Sequence, residues 1–405
     1  MNKIKSVFLT VYNFILDNLP AMKIWLGDLK YRFLPVKKNR ILFSSFCGNN
    51  CSCNPKAVFE YMLENYKDKF EYVWLFDENS GFEMPDGADV CVPFNSDKSD
   101  YYKATSGVWC FNHRNTRYFH KKKSQLYIQT WHGDIGFKAI EKRNCEKPED
   151  FESPYIKKCI KDSKFTDIVL SGSQWGYDNL RESFFFDGEI LKCGCPRNDV
   201  LFNESNDELR ERIRARYGVP PHKKVCLYAP TFRAGFSVRE VLFNEDNTAD
   251  RIIEALTERF GGEWVLFMKY HPASLDKYET KDFMDGKTVF DISDYPDAAD
   301  LLAGCDALIS DYSSVSFDFA LTYKPCWLYF EDFEAYRKND RNVIIDTDKI
   351  GFDKCADKDA LIAAIKNFDK AEYDKRIRKM LDDFGSCENG TACRQVAQRI
   401  VDFAM

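Results

Sequence analysis

The amino-acid sequence predicts an α/β protein built from two doubly wound parallel domains. Short apolar runs alternate with helical patterns, and each run is continuously hydrophobic, as is typical of strands buried on both faces of a parallel sheet. The alternation breaks at Pro220–Pro221 and then starts again. This restart predicts a second domain of the same class that faces the first.

Seven strands are predicted in the first half of the chain. The first, Ile41–Phe46, leads to Asn54–Pro55, which predicts a helix N-cap followed by proline at the first helical position. That helix is expected over Lys56–Lys69. The other strands and one later helix are expected at Tyr72–Phe76, Ala88–Val92, Val108–Asn112, Leu126–Thr130, Asp167–Ser171, Ile190–Cys193 and, for the helix, Asp207–Arg216.

The second half repeats the pattern and ends in a helix. Strands are predicted at Val225–Tyr228, Trp264–Lys269, Thr288–Asp291, Ala307–Ser310 and Cys326–Tyr329, and helices at Ala249–Phe260, Asp297–Ala303, from Val315, and at Thr391–Phe403. We therefore divide the chain into a basic amphipathic segment (1–38), an N-terminal domain (39–219), a C-terminal domain (220–385) and a terminal helix that packs back on the body (386–405).

Composition excludes several classes of protein. A hydrophobic content of 44%, with 15% aromatic residues, supplies enough apolar surface for at least two cores, which excludes a disordered chain and a small disulfide-stabilised scaffold. The net charge of −6 argues against nucleic acid as a partner. The fifteen cysteines are an odd number, mostly within apolar runs, and we expect reduced thiols in a cytosolic protein.

Charge is distributed unevenly along the chain. The first forty residues carry eight basic and two acidic residues, a net of +6, so the rest of the chain carries −12. The apolar segment Val7–Leu19 ends at Pro20, short of the roughly 20 apolar residues that a spanning helix needs. Because lysines flank this segment, an interfacial helix on anionic lipid is favoured over a terminal helix docked on the protein itself.

Polar residues directly after the predicted strands are the candidates for a site, because ligands bind parallel sheets outside the carboxyl ends of their strands. His132, beside Gly133, can act as a general base or be a packed turn residue. Ser171–Ser173 is better interpreted as a helix cap than as an anion site. Arg197 can donate to phosphate or form a salt bridge with Asp199.

Three strand ends in the second half carry similar chemistry. Pro230–Arg233 and Lys269–Pro272 each combine proline with a cation or an imidazole that can meet oxyanions. Ser313 and Ser314 precede a helix that carries Asp318, and hydroxyls at the positive end of a helix predict a phosphate site. Simple capping explains one serine better than two. The sequence lacks GxxxxGK[ST] and a strand-linked GxGxxG, which removes the main support for P-loop and dinucleotide-binding sites.

Together, these motifs resemble the CDP-glycerol glycerophosphotransferases of teichoic acid and related polymer synthesis. The matching runs follow the family's order over residues 126–325: TWHG (130–133), SGSQW (171–175), GCPRND (194–199), YAPTFR (228–233), KYHP (269–272) and SDYSSVSFDFAL (310–321). The resemblance implies a GT-B arrangement of two Rossmann-like domains facing a cleft. It also implies a peripheral protein on the cytoplasmic face of the membrane that extends a lipid-linked acceptor.

The resemblance also implies roles for individual residues. His132 is the implied base that activates the acceptor hydroxyl, and His271 the group that stabilises or protonates the CMP leaving group. The CDP-glycerol or CDP-ribitol donor is implied to contact Gly133, Arg197, Pro230, Thr231, Arg233, Lys269, Ser313, Ser314 and Asp318. Because no DxD motif occupies a suitable loop, we expect no cofactor and no essential metal, although Mg²⁺ can accompany a pyrophosphate.

Two departures from the family pattern, at Asp134–Lys138 and Ala234–Gly235, leave the polyol and the acceptor (a lipid-linked saccharide or polyol phosphate) open. The extra carboxylate of Asp134 is expected to contact polyol hydroxyls or solvent. The alternative functions are a GT-B sugar-nucleotide enzyme, either a glycosyltransferase or one like UDP-GlcNAc 2-epimerase, and an inactive membrane-bound scaffold. The lack of a long additional N-terminal domain favours a primase or short-chain role over a polymerase.

Overall fold

A computed structural model of the protein describes residues 30–81, 83–115, 117, 120–203, 206–231, 247–270, 286–339 and 342–405. Over these ranges the chain forms two parallel β-sheets flanked by helices, which confirms the predicted α/β class. Most of the basic segment predicted at 1–38 lies outside the described residues.

The first domain is a seven-stranded parallel sheet with the order β3-β2-β1-β4-β5-β6-β7. Its strands are β1 (Lys37–Ser44), β2 (Glu71–Phe76), β3 (Val90–Pro93), β4 (Ser106–Phe111), β5 (Leu126–Gln129), β6 (Ile168–Ser171) and β7 (Glu189–Lys192). Its helices are α1 (Cys53–Tyr66), α2 (Asp97–Thr105), α3 (Pro154–Ser163) and α4 (Gln174–Ser183), and a 3₁₀ helix, Pro196–Phe202, follows β7.

The second domain repeats this design with a six-stranded sheet of order β10-β9-β8-β11-β12-β13. Its strands are β8 (Lys224–Ala229), β9 (Trp264–Met268), β10 (Val289–Asp291), β11 (Ala307–Ser310), β12 (Cys326–Tyr329) and β13 (Asp353–Cys355). The helices from residue 207 onward are α5 (Asp207–Arg216), α6 (Thr248–Phe260), α7 (Ala298–Gly304), α8 (Val315–Ala320), α9 (Phe333–Asn339), α10 (Lys358–Lys366), α11 (Lys370–Asp383) and α12 (Ala392–Ala404).

Both faces of the first sheet are buried, as its continuous apolar runs predict. In β1, Ile41 and Phe43 enter the core on one face, whereas Leu42 between them enters the core on the other. The helix α12, at the C-terminus, closes the first of these cores with Val396 and Ile400. The end of the chain therefore packs on the first domain after the second domain is complete.

The chain passes between the sheets from β7 to β8. Helix α5, in this connection, packs on the second domain: Ile213 is part of its core, and the Arg214 guanidinium lies 3.1 Å from the Asp306 carboxylate. One strand absent from our sequence-based assignment is β13. It has only three residues, Asp353–Cys355, two of them charged, so the apolar signal used to locate the other strands is missing there.

Candidate active site

The two domains meet at the ends of strands where ligands usually bind. The strand order changes direction between β1 and β4 in the first sheet, and between β8 and β11 in the second. A cavity of 230 Å³ lies between the loop after β5 and the loop after β11. Its lining comes from both domains: Trp131, His132, Gly133, Asp134, Ile135, Gly136, Phe137, Lys138, Ile140, Asn179, Leu180, Tyr312, Ser313 and Ser314. We call it the reaction cavity.

In the reaction cavity, His132 has one ring nitrogen in use and one open. Nδ1 lies 2.8 Å from the carbonyl oxygen of Asn112, so in the neutral ring Nδ1 carries the proton and donates it. Nε2 makes no hydrogen bond to any part of the chain that the structure describes. The tautomer therefore leaves Nε2 as an acceptor for a proton from a ligand.

The electrostatic surroundings keep His132 neutral. Removal of the imidazole from bulk water lowers its pKa below the usual 6.5, and the positive charge of Arg197 lowers that pKa further, against the opposing effect of the bond to Asn112. The cleft walls surround the ring, but His132 as a residue remains exposed to solvent. His132 is therefore a neutral base that a ligand can reach at neutral pH.

Trp131 has an unusual backbone conformation for a bulky residue. Its φ is 52°, in the left-handed region. The Gln129 side chain accepts from its backbone N–H at 3.0 Å, which supports this conformation from one side. The indole then lies against the His132 ring at a centroid distance of 4.2 Å and edge-on to Phe184 at 4.9 Å. Trp131 thus limits where the imidazole can lie.

Asn54 supports the same loop, and here our N-cap prediction is wrong. Helix α1 begins at Cys53 with Ser52 at the cap, so Asn54 lies inside the first turn, fully buried. Its amide donates to the carbonyl oxygens of Thr130 and Trp131, each at 3.0 Å, and its oxygen accepts from the N–H of Arg197 at 3.0 Å. The local sequence pattern predicts a helix N-cap at Asn54, but these three long-range hydrogen bonds give Asn54 another structural role.

Beyond His132, the loop crosses from the first domain into the second. Phe137 packs against Phe317 at 5.3 Å, within the core of the second domain. Its carbonyl accepts from Ile344 at 2.8 Å, and Lys138 forms an antiparallel bridge with Val343. The loop that carries His132 is therefore anchored in both domains.

Asp134 lines the reaction cavity and is partly exposed, and its carboxylate is also bound by the first domain. The expectation that it contacts polyol hydroxyls or solvent stays a prediction. Its Oδ1 accepts from the Ser171 hydroxyl and the Gly172 N–H, each at 2.8 Å. Burial raises the pKa of this carboxyl, and these hydrogen bonds lower it. Any side chain at Gly176 would collide with the carboxylate. The predicted cap is confirmed: the Ser173 hydroxyl accepts from the Gly176 N–H at 2.8 Å.

Arg197 is paired across the domain interface with a residue other than Asp199. Its Nε and Nη2 donate to both carboxylate oxygens of Asp318 at 2.9–3.2 Å, so the predicted alternative of a salt bridge to Asp199 is wrong. Asp199 instead accepts from the backbone N–H groups of Ala392 and Cys393 at the start of α12. Arg197 Nη1 is buried and has no partner within the described ranges.

The second domain contributes its strand ends to the opposite side of the cleft. The Thr231 N–H donates to both oxygens of Asp311, which joins the ends of β8 and β11; Pro230 is buried just before it. A Cβ at Gly133 would lie 3.7 Å from the Ser314 hydroxyl. Ser313 and Ser314 therefore face the His132 loop across the reaction cavity.

The structure locates only one of the remaining predicted donor ligands. Lys269 donates its ammonium to the carbonyl oxygen of Tyr295 at 2.6 Å, and burial lowers its pKa. This contact directs the ammonium to the loop before α7. Arg233 and His271 lie outside the described residues, so their predicted roles remain predictions.

Our sequence analysis did not identify Glu388, which accepts hydrogen bonds from residues on both sides of Arg197 in its loop. Both carboxylate oxygens accept from the Cys195 N–H, and Oε1 also accepts from the Asn198 amide at 3.0 Å. Burial raises the pKa of Glu388 to about 8. The Asn198 amide also donates to Asp318 at 3.1 Å. Because Glu388 is 190 residues from Asn198 in the sequence, no local sequence pattern predicts their contact.

Two global features concern metals and membranes. Within the described ranges, no group of three or more His, Cys, Asp and Glu side chains is arranged to hold a metal ion. A search of the helices in these same ranges finds none with both the length and the apolar character to cross a bilayer.

Comparisons with known proteins agree with the motifs. Residues 29–402 match the family model described as CDP-glycerol:poly(glycerophosphate) glycerophosphotransferase. A teichoic acid poly(glycerol phosphate) polymerase of Bacillus spizizenii is 31% identical over 91% of this chain and 93% of its own length. A teichoic acid glycerol-phosphate transferase of Staphylococcus aureus is 30% identical, over 90% and 93%. The chain spans about half of a similar Staphylococcus epidermidis polymerase.

Solved structures extend this likeness to the whole fold. The wall teichoic acid polymerase TagF, in a histidine-to-asparagine variant soaked with CDPG, superposes with a TM-score of 0.81 at 28% identity, over 100% of this chain and 98% of that chain. A second TagF variant, with a histidine replaced by alanine, gives a TM-score of 0.80 at 27% identity over the same shares of the two chains. These neighbours confirm the GT-B-like arrangement. The chain belongs to the CDP-glycerol:poly(glycerophosphate) glycerophosphotransferase family.

Proposed function

We propose that this transferase moves a glycerol-phosphate or other polyol-phosphate unit from a CDP-polyol to a hydroxyl of a lipid-linked acceptor, and releases CMP. The observation that carries the proposal is the open Nε2 of His132 in a cavity closed on its far side by Ser313 and Ser314. A base faces a pair of hydroxyls at a strand-to-helix turn, which suits attack on a phosphoryl group.

In this reaction the acceptor oxygen attacks the phosphorus that carries the polyol. The bond from that phosphorus to the bridging oxygen breaks, and CMP leaves with the electron pair. His132 Nε2 takes the hydroxyl proton, so the products are a phosphodiester, CMP and one proton. We assign His271 to the leaving group, as the family resemblance implies. The two solved TagF variants carry replacements of two different histidines of that protein.

We propose that the donor contacts come from both walls of the cleft. Ser313 and Ser314 hold the pyrophosphate, with Pro230, Thr231 and Arg233 along the nucleotide, and Gly133 leaves space for the phosphate near His132. Asp318 occupies Nε and Nη2 of Arg197, and Nη1 is buried, so contact between Arg197 and the donor requires that Nη1 becomes exposed. We therefore assign Asp318 and Lys269 to positioning of the donor site, in agreement with their protein contacts.

The donor specificity is tested by incubation of the full chain with CDP-glycerol, CDP-ribitol and UDP-N-acetylglucosamine, each with a lipid-linked acceptor. We expect CMP release from a CDP-polyol and none of UDP. Family membership favours this result over the sugar-nucleotide enzyme considered from sequence. Release of UDP without CMP would overturn the proposal.

We also propose that the protein works peripherally at the cytoplasmic face of the membrane. The support is the +6 charge of the first forty residues beside an apolar segment. In full-length protein, replacing Lys3, Lys5 and Lys23 by glutamine is expected to weaken binding to vesicles that contain phosphatidylglycerol and to leave CDP-glycerol binding unchanged. Equal vesicle binding by both proteins would contradict the membrane role.

A further inference from the structure

A second cavity, of 440 Å³, lies in the first domain directly beside the reaction cavity. Its lining residues come from the segment between the His132 loop and α3: Trp131, Ala139, Ile140, Glu141, Asn144, Cys145, Asp150, Ser153, Tyr155 and Ile156. Trp131 and Ile140 line both cavities, so the two are separated by little more than these side chains. The volume is within the usual range of small-molecule sites.

The lining of this second cavity suits a neutral, hydroxyl-rich group. Trp131 and Tyr155 offer aromatic surfaces, and Tyr155 is 55% exposed. Asn144, also exposed, offers an amide that can both donate and accept. A sugar ring has apolar faces and polar hydroxyl edges. The aromatic rings of this wall can stack on such faces, and its amide can bond to the hydroxyls.

Charge argues against a phosphate in the same place. The carboxyl groups in the lining belong to Glu141 and Asp150, and no lysine or arginine among the described residues lines the cavity. Glu141 is neutralised by Arg114, whose guanidinium binds both its oxygens at 2.6–2.7 Å. Asp150 accepts from the backbone N–H groups of Glu146 and Lys147, and these bonds and the positive charge of Lys147 lower the pKa of its carboxyl. A phosphodiester here would therefore lie beside the Asp150 carboxylate, with no lysine or arginine in the part of the cavity wall that the structure describes.

We propose that the second cavity binds a neutral sugar unit at the end of the acceptor, so that its terminal hydroxyl passes Trp131 to His132. This inference rests on the proposed function and adds a choice of acceptor. A saccharide-terminated acceptor fits both cavities. An acceptor already ending in glycerol phosphate places its last phosphodiester beside Asp150. The protein therefore adds a first unit to a saccharide more readily than it extends a poly(glycerol phosphate).

The test compares two acceptors with CDP-glycerol as donor: an octyl disaccharide glycoside, and the same glycoside already carrying one glycerol phosphate. CMP release gives KM and kcat, and calorimetry gives the Kd of CDP-glycerol. Tyr155→Ala removes an aromatic wall, and Asn144→Lys adds a cation. Tyr61→Ala is the control, because Tyr61 lines neither the second cavity nor the reaction cavity.

For the unextended glycoside, we expect Tyr155→Ala to raise KM at least fivefold, with the Kd of CDP-glycerol unchanged within twofold and no effect of Tyr61→Ala. Asn144→Lys is expected to shift the kcat/KM ratio of the two acceptors toward the extended one by at least fivefold. Wild-type turnover with unchanged acceptor constants in both variants would overturn this inference alone. No CMP release from wild type with either acceptor would instead overturn the proposed function.

Discussion

The loops that follow β4 and β5 lie side by side, and each carries a histidine, but the two imidazoles differ in their hydrogen bonding. After β4, His113 uses both ring nitrogens: Nδ1 lies 3.0 Å from the carbonyl of Arg114, and Nε2 lies 2.8 Å from the Ser44 hydroxyl. The ring is 7% exposed. After β5, His132 uses Nδ1 alone in its hydrogen bonds to the part of the chain that the structure describes, and the residue is exposed. A buried, satisfied imidazole stabilises the fold, whereas a half-satisfied one can exchange a proton.

Both surroundings lower the pKa of the imidazole, so a pKa shift alone does not identify the functional histidine. Burial, together with the charges of Lys103 and His132, lowers the pKa of His113 to about 4, against the opposing effect of the bond to the Arg114 carbonyl. The pKa of His132 is also lowered by burial and by Arg197. The difference between the two lies in the free Nε2 and in its position opposite Ser313 and Ser314.

The largest expected effect comes from removal of the open imidazole. His132→Ala is expected to lower kcat for CMP release from CDP-glycerol by roughly 10³-fold, because general bases contribute about 10²–10⁴-fold. The Kd of CDP-glycerol, measured by calorimetry, is expected to change less than threefold. His113→Gln is the control, since glutamine can replace both hydrogen bonds. Full activity in His132→Ala would remove the base from the mechanism.

The next comparison concerns the charge that acts on His132. Asp318→Ala leaves Arg197 buried without its partner, and we expect a loss of about 3–5 kcal/mol in the free energy of unfolding. Urea denaturation measures this loss. Asp383→Ala is the control, because the Lys379–Asp383 pair is exposed and such pairs contribute about 0–1 kcal/mol. Equal losses in the two variants would contradict the buried character of the Arg197 pair.

The two loops can also be separated through Asn54, whose amide donates to the loop of His132 and whose oxygen accepts from the N–H of Arg197. Asn54→Ala removes donors to Thr130 and Trp131 and is expected to lower kcat about 10–100-fold, since small displacements of a catalytic group have effects of that size. Asn206→Ala is the control, because its amide donates to the carbonyl of Val200 away from the site. Comparable kcat values in both variants would show that Asn54 does not position His132.

The smallest effect concerns the closed histidine and the stability of the fold at acid pH. The folded pKa of His113, about 4, is below its usual 6.5, so the unfolded chain binds more protons between these values. Stability is therefore lost as pH falls from 6.5 toward 4. His113→Gln is expected to reduce this loss by on the order of 2 kcal/mol in urea titrations at pH 7 and pH 4.5. Identical losses in both proteins would contradict this assignment.

The sequence predicts the sheets better than the connections within the site. Strands such as Ala307–Ser310 and Cys326–Tyr329 are located to the residue, because their apolar runs are continuous and bounded by polar residues. The pairing of Arg197 with Asp318 spans 121 residues and depends on how two domains meet. Asn54 is misread for the same reason: its partners are distant in sequence, and the local pattern describes only a helix start.

The pH dependence of acceptor-driven CMP release tests the central claim most directly, because it titrates the base itself. We expect kcat/KM for wild type to fall with acid, with a slope of one and an apparent pKa below the usual 6.5 of histidine, as the direction of the His132 shift requires. His113→Gln is expected to keep the same acidic limb. An acidic limb that moves in His113→Gln, or one with an apparent pKa above 6.5, would contradict the assignment of His132 as the base.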